Sequence, residues 1–306
     1  MIQENPSYLS SNSYEGQSNL QRNFGKSVAV SQNRSAYVIG TNFYVYHSFI
    51  NGFLMGSGRV DTNFADSIAL SANGTVLAIS EMQNVTVYDI DKTTRTYSLK
   101  STFSHQDIPT FGKSLAMSKN AAIVAISGSS LQQGVMMYEW NGTHYDFLQQ
   151  INREGCRVLE TNVSSVFSMS FSYNGSTFVI GDPVCQRNST KYGKVNVYVR
   201  TAQGSYEKTE VLGPDDAPQF FGYSTALSAD GETLVVGYDS VGSTVQVFHF
   251  DGEWTQRGSS LQGGQSVSID ISYDGQNVLI GSKEFSDRGS FDNGRVALLV
   301  GKNNIK

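Results

Sequence analysis

Two cysteines, seven Asn-x-Ser/Thr sequons and a scatter of acidic residues are the parts of this 306-residue chain that could do chemistry. Cys156 and Cys185 could close a disulfide, which stabilises a fold mainly by restricting the unfolded chain; the plainer alternative is two unrelated thiols. The sequons, at Asn33, Asn73, Asn84, Asn141, Asn162, Asn174 and Asn188, would accept glycan in a secreted protein. Asn73 and Asn174 also precede glycine in tight turns, where Asn-Gly is favoured for backbone reasons alone. Asp107, Asp182, Asp215, Asp216, Asp239, Asp287 and Asp292 could form a cation- or ligand-binding rim. Lys26, Lys113, Arg153, Arg157, Arg187, Lys191 and Arg288 lie among them, so a solvated mixed-charge face is the simpler reading.

One stretch stands apart. Ser282–Asn293 carries Glu284, Phe285, Asp287, Arg288, Phe291 and Asp292, two aromatics with mixed charges, and reads as one long loop and the best single binding candidate. His47, His105, His144 and His249 have no paired ligand spacing, so no metal site and no cofactor is expected. No Gly-x-Ser-x-Gly, P-loop or dinucleotide fingerprint is present. The segment 228–233 departs from the sialidase Asp box, which separates its Asp and Gly and ends in Trp. An enzyme is not expected.

The elements that must position these residues form a repeat. Ser31, Ser71, Ser118, Ser172, Ser228 and Ser272 each end a short alternating strand, A, at intervals of 40 to 56 residues. Each is followed by a tight turn such as Asn73-Gly74 or Asp230-Gly231 and by an apolar strand, B; alternation on both sides of such a pair is a strong hairpin signal. A third strand, C, usually closes on an aromatic, as in Val85-Thr-Val-Tyr88 and Val245-Gln-Val-Phe248. A more polar fourth strand, D, opens on Phe53, Tyr97, Tyr145, Tyr206 or Trp254. Four antiparallel strands per unit predict an all-β fold, a β-propeller of six blades. The sixth unit lacks strand D, and Tyr14–Leu20 resembles Tyr206–Leu212. The N-terminal segment is therefore expected to complete the last blade and close the ring, leaving no unpaired sheet. Residues 1–13 read as a tail and 14–306 as one domain.

Composition agrees. Charged residues are 16% and the net charge is −5, with no basic run, so nucleic acid is not an expected partner. No apolar run approaches the ~18 residues of a membrane helix. The first residues have neither a basic n-region nor an apolar h-region, which leaves a cytosolic protein or one whose signal peptide has been removed.

Phe24-Gly-Lys-Ser27, Phe111-Gly-Lys-Ser114 and Phe221-Gly-Tyr-Ser224 resemble the FG-GAP repeat of integrin α-subunit-type propellers. The likeness covers residues 14 to 300 and is strongest in the second, third and fifth units. It implies a propeller and a surface adhesion or interaction role, though such repeats specify fold better than function. Integrin-type repeats carry a calcium loop between A and B. These turns are two residues long and cannot supply six to eight oxygens, so calcium is not expected there. WD repeats share the strand pattern, but no Gly-His or Trp-Asp pair appears.

In a propeller the D–A and B–C connections emerge on one face, which would bring Cys156 and Cys185 together in polar loops. That face is expected to bind a protein or glycan ligand, outside the cell or at its surface. A lectin and a structural subunit of a larger assembly are the alternatives.

Overall fold

The structure is a computed structural model that describes residues 27–32, 36–40, 44–49, 59–61, 65–81, 83–94, 96–106, 111–128, 134–153, 168–186, 192–213, 220–238, 244–262, 265–285 and 293–300. These residues form six antiparallel sheets. The first holds β1 (Ser27–Val30), β2 (Ala36–Gly40), β3 (Tyr44–Phe49) and β4 (Arg59–Asp61). The second holds β5 (Ala65–Leu70), β6 (Val76–Glu81), β7 (Asn84–Asp91) and β8 (Thr96–Ser104). Next come β9 (Ser114–Met117), β10 (Ile123–Ser127), β11 (Val135–Trp140) and β12 (Tyr145–Ile151). The fourth sheet is β13 (Ser168–Phe171), β14 (Thr177–Gln186), β15 (Tyr192–Arg200) and β16 (Tyr206–Leu212). In the fifth, β17 (Ser224–Leu227), β18 (Thr233–Gly237) and β19 (Thr244–Phe250) are followed by β20 (Trp254–Gln256) and β21 (Leu261–Gln262), both paired to β19. The last is β22 (Gln265–Ile271), β23 (Asn277–Phe285) and β24 (Asn293–Val300).

Strands lie side by side in chain order, and successive sheets pack through their innermost strands: β1 on β5, β5 on β9, β9 on β13, β13 on β17 and β17 on β22. This is an all-β propeller. The sequence predicts six four-stranded blades, but only five sheets reach four strands; the sixth has three among the described residues. The segment 14–20 expected to complete it, like the tail 1–13, lies outside the described residues.

The A–B connections, read from the sequence as two-residue turns, are five residues long in every sheet (31–35, 71–75, 118–122, 172–176, 228–232 and 272–276), and the anchor serines explain their regularity. Ser71 Oγ donates to Asn73 Oδ1 at 2.7 Å and accepts from the Val76 N–H at 2.9 Å. The same pair of bonds recurs from Ser118, Ser172, Ser228 and Ser272. Each serine satisfies a backbone donor that burial would otherwise orphan. Gly74, Gly175, Gly231 and Gly275 turn with positive φ, and Ala121 takes the same conformation at φ 60°. Backbone bonds then link turn to turn: Gln32 N–H to Ala72 O, Ala72 to Lys119, Asn120 to Tyr173, Tyr173 to Ala229, and Ala229 to Tyr273, at 2.7 to 3.1 Å.

The core lies between sheets. Five buried clusters fill the five junctions from the first sheet to the sixth. Phe111 and Phe221, from the Phe-Gly repeats, are fully buried. Phe221 packs with Val179, Val195 and Val197 of the fourth sheet and with Leu234 and Tyr238 of the fifth. The glycine after it lets this plug seat: at Gly222 (φ 85°) a Cβ would stand 2.7 Å from Lys194 O. Strand D bulges at one place in three sheets, opposite Val87/Tyr88, Met137/Tyr138 and Val197/Tyr198. Such bulges twist an outer edge away from pairing with another chain.

Candidate functional site

Two contacts show that the D–A and B–C connections share a face. Gly193, at the start of β15, forms a parallel bridge with Phe221, which lies on the approach to β17. A Cβ at Gly193 (φ 95°) would lie 2.3 Å from Phe221 O, so only glycine allows the approach. One junction earlier, Arg153 Nε, just past β12, donates to Asp182 Oδ2 at 2.6 Å, and its Nη2 donates to Oδ1. The pair is buried, with side chains 4% and 1% exposed.

On this face the B–C connections differ from sheet to sheet. Only residues 82–83 separate β6 from β7, whereas 286–292 separate β23 from β24. In the fourth and sixth sheets the B–C hairpin continues past an irregularity, pairing Gln186 with Tyr192 and Phe285 with Asn293. Glu284 and Phe285 therefore end a strand, and the long loop expected over Ser282–Asn293 is shorter than expected: β23 extends through Phe285. Asp287, Arg288, Phe291, Asp292, Asp215, Asp216 and Asp239 lie outside the described residues.

Asp182 is not a rim group. It follows Gly181 on β14, points into the junction between the third and fourth sheets, and is neutralised there by Arg153. Two charges leave water together because each is the other's counter-ion. Around them are buried Lys194 and Asn196 of β15, residues that the sequence alone does not single out. Their signal was present in polar residues within the apolar alternation of strand C. Cys185 is fully buried on β14, a strand and not the polar loop expected, and is not a free thiol. Cys156, Asn33, Asn162 and Asn188 lie outside the described residues.

Among the sequons, Asn73 and Asn174 are exposed in A–B turns, each with Oδ1 accepting a backbone N–H two residues on. Asn84 is exposed at the start of β7. Asn141 is exposed too, but its Nδ2 donates to Asp146 Oδ2 at 2.8 Å and lies 3.1 Å from His144 Nε2. His144 is an exposed surface residue. No group of three or more His, Cys, Asp or Glu able to hold a metal occurs among the described residues. Nor is any helix of the described residues long and apolar enough to cross a membrane.

The opposite face, at the A–B turns, exposes an aromatic pair. Tyr173 and Tyr273 follow the anchor serines of the fourth and sixth sheets, and their rings meet edge to face 5.6 Å apart. Further out, Tyr145 OH donates to Ala121 O at 2.6 Å and Tyr206 OH donates to Gly175 O, so the aromatic opening strand D caps its own sheet's turn. Burial pushes both phenols, and that of Tyr97, well above their ordinary value. Asp274, in the turn itself, is held below the usual carboxylate value by the Ser272 hydroxyl and then by the Gln276 N–H.

The fold and this two-faced arrangement define a β-propeller with uniform turns on one face and varied hairpins on the other. No family model and no curated protein matches the chain. Solved structures do. A functionally unknown protein from Desulfotomaculum acetoxidans DSM 771 is 13% identical, with 92% of this chain and 90% of that one covered and a TM-score of 0.61. A candidate 6-phosphogluconolactonase from Bacteroides uniformis ATCC 8492 is 13% identical over 90% and 85% of the two chains, with a TM-score of 0.60. A second candidate 6-phosphogluconolactonase, from Bacteroides fragilis NCTC 9343, is 13% identical over 85% and 77%, with a TM-score of 0.57. At that identity the likeness is one of fold.

Proposed function

We propose that this chain is a non-enzymatic recognition platform that binds a protein or glycan ligand through the face carrying its D–A and B–C connections. The observation that carries the reading is the contrast between the two faces. Every A–B connection has five residues, whereas the B–C connections run from two residues to seven and lengthen into hairpin arms in the fourth and sixth sheets. Repeat scaffolds vary on the face they use. The test is binding to receptor and glycan arrays by the wild type and by a variant with Glu284, Phe285, Asp287, Arg288, Phe291 and Asp292 replaced by alanine. Loss of a wild-type signal at unchanged thermal stability is expected. An unchanged signal overturns the assignment to this arm, and turnover of a phosphogluconolactone overturns the non-enzymatic reading.

The platform is six-bladed, with residues 14–20 as the outer strand of the last blade. Leu279 and Leu298 face each other across β23 and β24 and are 44% and 49% exposed, and Val28 on β1 is 68% exposed. These are the apolar faces that packing the first sheet on the last would cover. The protein works at or outside the cell surface, with a Cys156–Cys185 disulfide and glycan on some of its sequons; the absence of a free thiol at Cys185 supports the first point. Intact mass before and after reductant and glycosidase decides both. One observation favours a glycan at a second place, the exposed Tyr173–Tyr273 pair, because aromatic rings offer sugars an apolar face beside polar groups. Loss of a glycan-array signal in Tyr273→Ala alone would move the site to the turn face.

A further inference from the structure

We propose that one integral water belongs to the fold between the third and fourth sheets, held by Asn196 beside the Arg153–Asp182 pair. Asn196 is 9% exposed, and its Oδ1 is buried with no hydrogen-bond partner. Such an acceptor calls for a donor, because an unmatched buried polar atom forfeits its hydration with no return. Its side chain lines a small cavity together with Asn152, Arg153, Ile180, Asp182 and Lys194. The pocket opens partly to solvent, and its inner end beside Asn196 leaves room on the order of a single water.

The lining also decides the chemical class. A cation would meet the guanidinium of Arg153 and the ammonium of Lys194, and a hard metal wants more oxygens than the cavity presents. An anion would meet the carboxylate of Asp182 and the carbonyl oxygen of Asn196. A neutral molecule that both donates and accepts suits all four groups, and buried waters typically have two to four such partners. Placed there, the water joins the chain leaving β12 to the B–C hairpin of the fourth sheet, and so helps set the angle between the two sheets.

Magnetic relaxation dispersion of water oxygen counts long-lived internal waters in the full chain and needs no added ligand. The wild type is expected to show one more than Asn196→Leu, which keeps the side-chain bulk and removes the acceptor. Equal counts overturn the proposal. Should that variant not fold, a high-resolution crystal structure of the wild type answers the same question. A solvent peak at about 2.7–3.2 Å from the Asn196 side-chain oxygen supports it, and a dry cavity with the amide turned to a protein partner overturns it.

Discussion

Gly222 and Ser228 show how much of this fold rests on single atoms. Gly222→Ala would place a methyl at positive φ and 2.7 Å from Lys194 O. A loss of roughly 3 kcal/mol is expected by urea unfolding. Gly142→Ala is the control: its φ is also positive but its Cβ meets nothing within 4 Å, so about 1 kcal/mol is expected. Ser228→Ala would orphan the Thr233 N–H and cost about 1–3 kcal/mol in the same measurement. The Phe-Gly pairs and anchor serines were legible because they repeat. Ala121 was not, because its left-handed turn is imposed by the Ser118–Asn120 bonds on a residue that does not itself prefer it. Asp274 offers a check by carboxyl NMR titration. Its midpoint should fall below 3.8 and return toward it in Ser272→Ala. Because the folded value is depressed, any stability it adds is present above the unfolded value and is lost as pH falls through the folded one.

At the level of the strand pair, the buried Arg153–Asp182 bridge is the clearest case where sequence was insufficient. Both residues read as rim charges. Only the return of the chain at β14 shows that they meet inside a junction, and contact between positions so far apart leaves no local pattern. Arg153→Met alone should cost about 3–5 kcal/mol by removing a charged partner of the buried Asp182 carboxylate, and Arg153→Met with Asp182→Leu should recover part of it. A chemical-denaturation cycle measures both; two additive losses would mean the pair is not coupled. The extent of β23 was hidden for a related reason. Cross-strand pairing carries Glu284 and Phe285 into a hairpin whose composition is that of a loop.

The whole molecule was legible to the level of the propeller and its unit boundaries, since period-2 strands and turn pairs repeat along the chain. Whether the ring closes through residues 14–20 is a matter for deletion: removing residues 1–20 should lower the melting temperature and promote self-association through the three-stranded last sheet. An unchanged, monomeric variant would refute that closure. Three buried phenols set a limit at high pH. Tyr97, Tyr145 and Tyr206 titrate above the ordinary 10.0 when folded, so their stabilisation is complete below 10.0 and declines as pH rises through it. Absorbance at the phenolate band should lag behind free tyrosine until the fold opens.

The backbone bonds running from Gln32 to Tyr273 through successive turns make the two faces unequal as places to lengthen the chain. A residue added between Ser228 and Thr233 would upset its own sheet and the neighbours on either side, because the Ala229 turn both donates and accepts. A residue added at 239–243 interrupts none of the turn-to-turn bonds among the described residues. Foreign peptides grafted at the second place should be carried by a folded propeller, and the same peptides at the first should not, so new specificities could be built here without redesigning the ring.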